Sequence, residues 1–138
     1  MIAYVDSSIL LRVALNQKGR LPEFSSVSVA GSSRILKVEC LRSVDRLHSL
    51  RKISRDDLLS ATEFIYEALD RLEIIYLVDT ILERASEPTG LTLGTLDAIH
   101  LFSAVEWRRQ KEHPVSFLTH DVDLGRAAKL FGFEVLGV

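Results

Sequence analysis

Residues 2–15 read IAYVDSSILLRVAL, and this stretch decides the fold because its pattern changes from strand-like to helix-like at a single acid. Ile2 to Val5 are apolar and favour a β-strand. Asp6-Ser7-Ser8 is a sequence typical of a helix N-cap, and an apolar run follows it at once. The chain is therefore predicted to open with a strand, a cap and a helix.

Apolar periodicity and turn residues predict the remaining elements. Predicted strands cover 27–30, 74–78, 115–118 and 133–136, and predicted helices cover 34–50, 55–71, 79–87, 95–107 and 122–130, with Ser54, Asp79 and Asp121 as caps. Gly31-Ser32-Ser33 is expected to separate the second strand from its helix, and Gly132 to stop the last helix. This order predicts an α/β fold in which helices cover a mostly parallel sheet.

Length and composition indicate a soluble, single-domain protein over residues 1–138. The chain has 47% hydrophobic and 26% charged residues, which is ordinary for a globular domain of this size. No stretch approaches the roughly 18 apolar residues of a membrane helix, and the first residues do not resemble a signal peptide. The single cysteine, Cys40, fits a reducing cytoplasm, and we expect it to be a small buried side chain.

The charge balance argues against a protein that holds nucleic acid by bulk positive charge. The formal net charge is −2 and the pI is about 6.1. A local basic segment nevertheless exists, formed by Arg34, Lys37, Arg42, Arg46, Arg51, Lys52 and Arg55. Such a segment is either a solvated helix face, which is the commoner case, or a surface that contacts RNA.

Four acids are expected to meet at one edge of the predicted sheet. Asp6 directly follows the first strand, and Asp121 lies just past the strand at 115–118. Asp97 falls in the first turn of a helix, and helices in parallel α/β folds point their N-termini at the edge where the strands end. Glu39 lies one turn inside its helix and reaches the same crevice if that helix packs beside the first strand.

Four carboxylates at one edge are chemically suited to Mg²⁺, a hard cation that takes oxygen ligands and keeps several waters. Like charges at close range raise one another's pKa, so such a cluster needs a cation to stay ionised. Bound metal polarises a phosphodiester and activates water. Each acid also has a structural explanation: Asp6 and Asp121 as N-caps, Asp97 in the helix dipole, and Glu39 as a solvent-facing helix residue.

Four short motifs resemble those of the PIN-domain nucleases, and most closely the VapC-type toxins of bacterial toxin–antitoxin pairs. They are Tyr-Val-Asp-Ser-Ser at 4–8, Val-Glu at 38–39, Leu-Asp-Ala-Ile-His-Leu at 96–101 and Leu-Thr-His-Asp-Val-Asp-Leu at 118–124. The resemblance runs from the first strand to the last. It implies a PIN-like three-layer α/β/α fold with a mostly parallel central sheet.

The same resemblance implies which residues form the site. Asp6, Glu39, Asp97 and Asp121 match the family's acids, and Asp6 and Asp97 match the pair most directly associated with Mg²⁺, for which Mn²⁺ is a substitute. Asp121 is preferred because it follows Thr119 in a Thr-x-Asp pattern, and Asp123 is the alternative. Ser7 and Thr119 resemble the hydroxyl residues that line such sites.

By resemblance, the activity is endonucleolytic cleavage of structured RNA, such as transfer or ribosomal RNA, by attack of a metal-activated water on a phosphodiester. The resemblance also implies a VapB-type antitoxin whose C-terminal segment occupies a groove between the early helices, and a homodimer. Apolar surface on the helices at 9–15, 34–50 and 55–71 agrees with such partners. The alternative function is a catalytically weak PIN-like module that binds RNA or a partner protein.

A response-regulator receiver domain has a similar size and sheet, but it would show an adjacent acid pair after the first strand. This chain has Asp6-Ser7 there, which argues against that class. Arg42 and Arg46 lie three and seven positions after Glu39, so they either grip phosphates or neutralise nearby acids.

The two histidines nearest the acids are not expected to act as ligands. His100 is interpreted as a packed, hydrogen-bonded core residue, and His120 should point away from the acids. Trp107 is assigned to the core or to an interface.

Overall fold

Five strands and six α-helices alternate along the chain, and the computed structural model describes all residues 1–138. The strands are β1 (Ile2–Val5), β2 (Val29–Ser33), β3 (Glu73–Ile75), β4 (Val115–Leu118) and β5 (Glu134–Leu136). The helices are α1 (Ser7–Ala14), α2 (Leu36–Ser49), α3 (Arg55–Leu69), α4 (Asp79–Ser86), α5 (Thr95–Arg109) and α6 (Val122–Leu130), with a short 3₁₀ helix at Pro22–Ser26. This is the element order predicted from the sequence.

All five strands are parallel and lie in the order β3-β2-β1-β4-β5. The chain therefore builds outward from β1 on one side, through β2 and β3, and then returns to β1 and builds outward on the other side. The reversal leaves a crevice between the carboxyl ends of β1 and β4. Open parallel sheets bind ligands in such a crevice.

Helices cover both faces of the sheet and give three layers, which confirms the predicted fold class. On one face α1, α2 and α3 bury a cluster that includes Leu10, Leu36 and Ile65. On the other face α5 and α6 pack on the sheet around Tyr4 and Phe117. Burial of these apolar side chains supplies most of the driving force for folding.

Side-chain caps fix the start of three helices where the sequence predicted them. Asp6 caps α1 and Asp121 caps α6. Ser54 and Asp57 form a reciprocal capping box at α3. The prediction for Asp79 was wrong by one position. Val78 is the N-cap of α4, and Asp79 lies in the first turn, where the helix dipole stabilises its negative charge.

The predicted end of the second strand was also wrong. Gly31, Ser32 and Ser33 lie within β2, where they pair with β3 and, at Gly31, with β1. A Cβ on Gly31 would lie 2.5 Å from the indole ring of Trp107, so the glycine makes room for α5 on the sheet. A glycine in a strand can thus mark close packing as well as a turn.

None of the helices combines the length and the apolar character that a membrane-spanning segment requires.

Candidate active site at the carboxyl edge of the sheet

Asp6 is the most buried of the four acids, with 4% of its surface exposed. Its Oδ1 accepts hydrogen bonds from the Ser8 hydroxyl at 2.6 Å and from the backbone N–H groups of Ser8 and Ile9 at the start of α1. Its Oδ2 accepts a hydrogen bond from the Thr119 hydroxyl at 3.0 Å. Burial raises the pKa of Asp6, and the hydrogen bond from Ser8 opposes this shift.

Thr119 joins the segments that follow β1 and β4. Its hydroxyl donates to Asp6 and accepts the backbone N–H of Asp121 at 2.9 Å. The Asp121 carboxylate in turn accepts the N–H of Leu124 at 2.8 Å and caps α6. Both acids are therefore fixed at the crevice between β1 and β4, as the topology requires.

Asp97 enters the same site from α5, where it lies half-buried in the first turn. Burial raises its pKa, and the negative charges of Asp121 and Asp6 raise it further. The dependence on two other carboxylates places Asp97 within their electrostatic reach. Asp97 therefore adds to an accumulation of like charge at the sheet edge.

A buried chain of hydrogen bonds holds Glu39. His100 is 1% exposed, and its Nε2 lies 2.5 Å from the Glu39 carboxylate, while its Nδ1 lies 2.7 Å from the Tyr4 hydroxyl. The Tyr4 oxygen already accepts the N–H of Ser33, and burial raises the pKa of the phenol, so Tyr4 keeps its proton to donate to Nδ1. With Nδ1 accepting from Tyr4, the Nε2–H of His100 is the group that donates to Glu39.

Cys40 follows Glu39 on α2 and is fully buried. Burial raises the pKa of the Cys40 thiol to about 12, and the charges of Glu39 and Asp6 add to this shift. The prediction that Cys40 is a buried apolar residue is confirmed, since its exposed fraction is 0%. Asp6, Asp97 and Asp121 lie at the starts of α1, α5 and α6, and Glu39 lies in the first turn of α2.

A surface cleft of about 350 Å³ opens beside Glu39. It is lined by Ser7, Glu39, Arg42, Ser43, Arg46 and Leu96. Arg42 pairs with Asp45 at 2.7 Å on the surface, which is the acid-neutralising role among the two that the sequence left open. Arg46 has no acidic partner within 4.0 Å, so its charge is available at the cleft.

Three further residues considered in the sequence do not join the acids: Asp123, His120 and Trp107. Asp123 is exposed and lies 3.5 Å from Arg126 on α6, whereas Asp121 is the acid tied to Thr119. The His120 ring turns to the Gly137 carbonyl, away from the acids as expected. Trp107 is a core residue, 3% exposed.

Two contributors to the site were missed in the sequence. Ser8, rather than Ser7, donates its hydroxyl to Asp6, and it also accepts the N–H of His120. The sequence contains part of the signal, because an aspartate side chain often accepts the backbone N–H two positions on, which brings residue 8 to Asp6. The link from His100 to Glu39 spans 61 residues, and no local pattern predicts it.

The donor set fits a hard divalent cation in its chemistry. Every candidate ligand is a carboxylate oxygen, and the pKa of Asp97 is raised by burial and by two neighbouring acids, whose repulsion a bound cation would offset. As the side chains lie, no three of the histidine, cysteine, aspartate and glutamate residues are grouped closely enough to hold a metal ion. Mg²⁺ is commonly held by only one or two carboxylates and by waters, so a Mg²⁺ site does not require three such residues side by side.

A doubly wound parallel sheet with an acidic crevice at its reversal point defines the class: an α/β protein with its site at the carboxyl edge. Within that class the chain belongs to the PIN domain family, whose model matches residues 3–130. No curated protein matches the chain.

Two solved structures resemble this one. A toxin–antitoxin complex from Klebsiella pneumoniae aligns over 88% of both chains with 19% identity and a TM-score of 0.64. VapBC2 from Rickettsia felis, bound to a DNA fragment from its promoter, aligns over 92% of both chains with 15% identity and a TM-score of 0.65. At these identities the likeness establishes the fold.

Proposed function

We propose that this PIN domain, taken as residues 1–138, is a divalent-metal-dependent endoribonuclease and the toxin of a VapBC-type toxin–antitoxin pair. The observation that carries the proposal is the link of Asp6 to Asp121 through Thr119 at the crevice between β1 and β4, with Asp97 near enough that their charges add to the effect of burial in raising its pKa. Membership of a nuclease family and the two structural neighbours support the assignment.

In this proposal Asp6 and Asp97 hold Mg²⁺, or Mn²⁺ in its place, and Glu39 and Asp121 complete the pocket in part through water. The cation supplies polarisation of the phosphodiester and activation of the attacking water. Thr119 and Ser8 fix the Asp6 carboxylate in one orientation.

Ser7, Arg42 and Arg46 line the cleft beside Glu39, where cations are suited to bind the phosphates that flank the cleaved bond. The proposed substrate is structured RNA, such as transfer or ribosomal RNA. This assignment places the protein in the cytoplasm, where such RNA is found.

A second groove, of about 460 Å³ and between α1 and α2, is the proposed binding site of the antitoxin. Its lining consists of Ser8, Leu11, Arg12, Leu15, Gln17, Ser43, Arg46, Leu47, Leu50 and Lys52. Leucines and cations together suit an amphipathic segment that carries acidic residues. Ser43 and Arg46 also line the cleft beside Glu39, so a VapB-type segment in the groove would reach the acids and block them. A homodimer is part of the proposal.

The test is cleavage of total tRNA and rRNA by the purified protein. We expect cleavage in Mg²⁺, none in EDTA, and a loss of at least about 100-fold in Asp97→Ala, since each 1.36 kcal/mol of lost transition-state stabilisation is tenfold in rate. Asp123→Ala is the matched control, because it removes an exposed acid from α6. Cleavage by Asp97→Ala at the wild-type rate would contradict the site.

The second candidate is a PIN-like module that binds RNA or a partner with little catalysis. The environment of Asp6 favours this alternative, since the side chain is 4% exposed and both of its carboxylate oxygens already accept hydrogen bonds. The same experiment separates the two functions: a binding module would shift labelled RNA or an antitoxin peptide on a native gel and would leave RNA uncut in both Mg²⁺ and Mn²⁺.

A further inference from the structure

Two exposed tyrosines, each beneath a cation, form a second surface feature that we call the basic–aromatic patch: Arg34, Lys37, Tyr66 and Tyr76. The Arg34 guanidinium lies 5.9 Å from the centre of the Tyr76 ring, and the Lys37 ammonium lies 5.0 Å from that of Tyr66. Tyr76 is 68% exposed and Tyr66 is 47% exposed. Exposed aromatic rings beside cations are a combination that binds nucleotides in other proteins.

The two cations of the patch are not neutralised. Neither Arg34 nor Lys37 has an acidic partner within 4.0 Å. A cavity of about 180 Å³ lies between them, with Tyr66, Leu69, Asp70 and Ile74 on its other sides. Asp70 lines this cavity without pairing with either cation. The patch therefore presents positive charge on a chain whose net charge is −2.

The patch begins at the same edge of the sheet as the candidate active site. Arg34 directly follows β2, and Tyr76 directly follows β3; the N–H of Arg34 donates to the Ile75 carbonyl at 2.9 Å. Neighbouring strands are about 4.8 Å apart, so the end of β3 lies roughly 10 Å from that of β1, where Asp6 is found. On α2, Glu39 contacts His100 of α5 while Lys37 contacts Tyr66 of α3.

We propose that the basic–aromatic patch binds unpaired nucleotides of an RNA strand whose neighbouring phosphodiester lies at the acids. Arg34 and Lys37 contact phosphates, and Tyr76 and Tyr66 stack on bases, the combination that single-strand binding proteins use. A duplex hides the faces of its bases, so the patch selects unpaired RNA. This inference rests on the proposed function and names the substrate feature that its site selects.

The first arm of the test measures stacking. Binding of a fluorescein-labelled single-stranded RNA of about 12 nucleotides is followed by anisotropy in the Asp97→Asn background, so that cleavage does not interfere. Tyr76→Leu and Tyr66→Leu should each weaken binding between about 5-fold and about 150-fold, whereas Tyr76→Phe and Tyr66→Phe should bind as the parent does. A duplex of the same sequence should bind weakly and respond to none of these changes.

The second arm measures charge. Arg34→Gln with Lys37→Gln should reduce the slope of log K against log[salt] by roughly 1.4, because each phosphate contact on a single strand contributes about 0.7. Lys18→Gln with Arg20→Gln is the matched control, an exposed lysine and arginine in the loop after α1 with no ion pair, and it should leave the slope unchanged.

Three results overturn the proposal: equal RNA affinity of the leucine and phenylalanine variants, equal binding of single strand and duplex, or leucine variants that lose self-association while keeping RNA affinity. The last result would make the patch a protein interface. The binding assay contains no cleavage step, so the two proposals fail separately. A wild type that binds single strands through the patch but cuts no RNA contradicts only the proposed nuclease function.

Discussion

Asp6 uses one carboxylate oxygen to cap a helix, and its other oxygen lies at the candidate metal site. Its Oδ1 accepts the bonds from Ser8 and Ile9 that start α1, while its Oδ2 accepts the bond from Thr119 at the crevice. The structural and functional explanations that the sequence left open for Asp6 are therefore compatible. The fixed orientation of a buried carboxylate is what a metal ligand requires.

Asp97→Asn should stabilise the metal-free protein at pH 7. The folded-state pKa of Asp97 is raised, so its ionised form is disfavoured by folding. This cost is absent below the unfolded pKa of about 3.9 and grows as pH rises through the raised value. We expect the melting temperature of the variant in EDTA to exceed that of the wild type by a few degrees at pH 7.

The difference between Asp97→Asn and the wild type should disappear below about pH 4, where both side chains are neutral. Asp123→Asn is the control: this exposed acid lies beside Arg126, and its replacement should give no gain at any pH. A gain for Asp97→Asn that is the same at pH 4 and pH 7 would show that charge is not the cause.

His100 is a positioning residue for Glu39, and two amides test this role. Glutamine places its NH₂ near the position of Nε2 and keeps a donor to Glu39, whereas asparagine places it near Nδ1. We expect His100→Asn to weaken Mn²⁺ binding by about 10- to 100-fold in calorimetric titration, and His100→Gln to remain close to the wild type. Equal Mn²⁺ affinities of the two folded variants would exclude the positioning role.

At the scale of elements, α2 connects the parts of the site. Its first turns carry Lys37 toward α3 and Glu39 toward α5, and Arg42 and Arg46 follow on the wall of the cleft. The position of α2 is set by β2, which runs through Gly31 to Ser33 before the helix begins. Because α5 carries Asp97 and β2 leads into the helix that carries Glu39, the packing of α5 against β2 affects the positions of both acids.

Gly31→Ala should destabilise the protein by about 1–3 kcal/mol, because its Cβ would overlap the Trp107 ring and force α5 away from β2. Urea unfolding followed by circular dichroism measures this loss. Gly90→Ala is the control for glycine replacement with free space around the Cβ, although its positive φ of 70° makes it mildly strained. If Gly31→Ala unfolds no earlier than Gly90→Ala, the close packing of Trp107 is not as described.

At the scale of the whole molecule, charge is distributed unevenly despite a net charge of −2. Acids occupy the crevice between β1 and β4, while unpaired cations lie on both sides of α2, at the basic–aromatic patch and at the groove with α1. This distribution agrees with an RNA strand that is held by cations beside the acids. A divalent cation would offset the repulsion at the crevice itself.

Mn²⁺ should stabilise the folded wild type by mass action. At about 100 times the dissociation constant the gain is about 2.7 kcal/mol, visible as a higher melting temperature. Asp6→Ala should start from a lower melting temperature, since it loses a helix cap worth about 1 kcal/mol, and should show no shift with Mn²⁺. An equal Mn²⁺-induced shift in wild type and Asp6→Ala would contradict the assignment of Asp6.

The sequence by itself determined the element order, the caps of α1, α3 and α6, and the edge at which the acids meet. These features depend on apolar periodicity within a segment and on side chains that bond to backbone a few residues away, so they are present in local sequence. The motifs around the acids also identified the family, which the match over residues 3–130 confirms. Their roles as metal ligands stay a prediction.

Only the tertiary structure decided the strand order, the path of β2 through Gly31, the chain from Tyr4 through His100 to Glu39, and the alignment of Tyr76 and Arg34 with Asp6. Each depends on residues distant in sequence, as in the 96 residues between Tyr4 and His100. Such contacts depend on which helices and strands pack against each other, and no local sequence pattern specifies the packing partner. For that reason the acids were predictable one by one, and their partners were not.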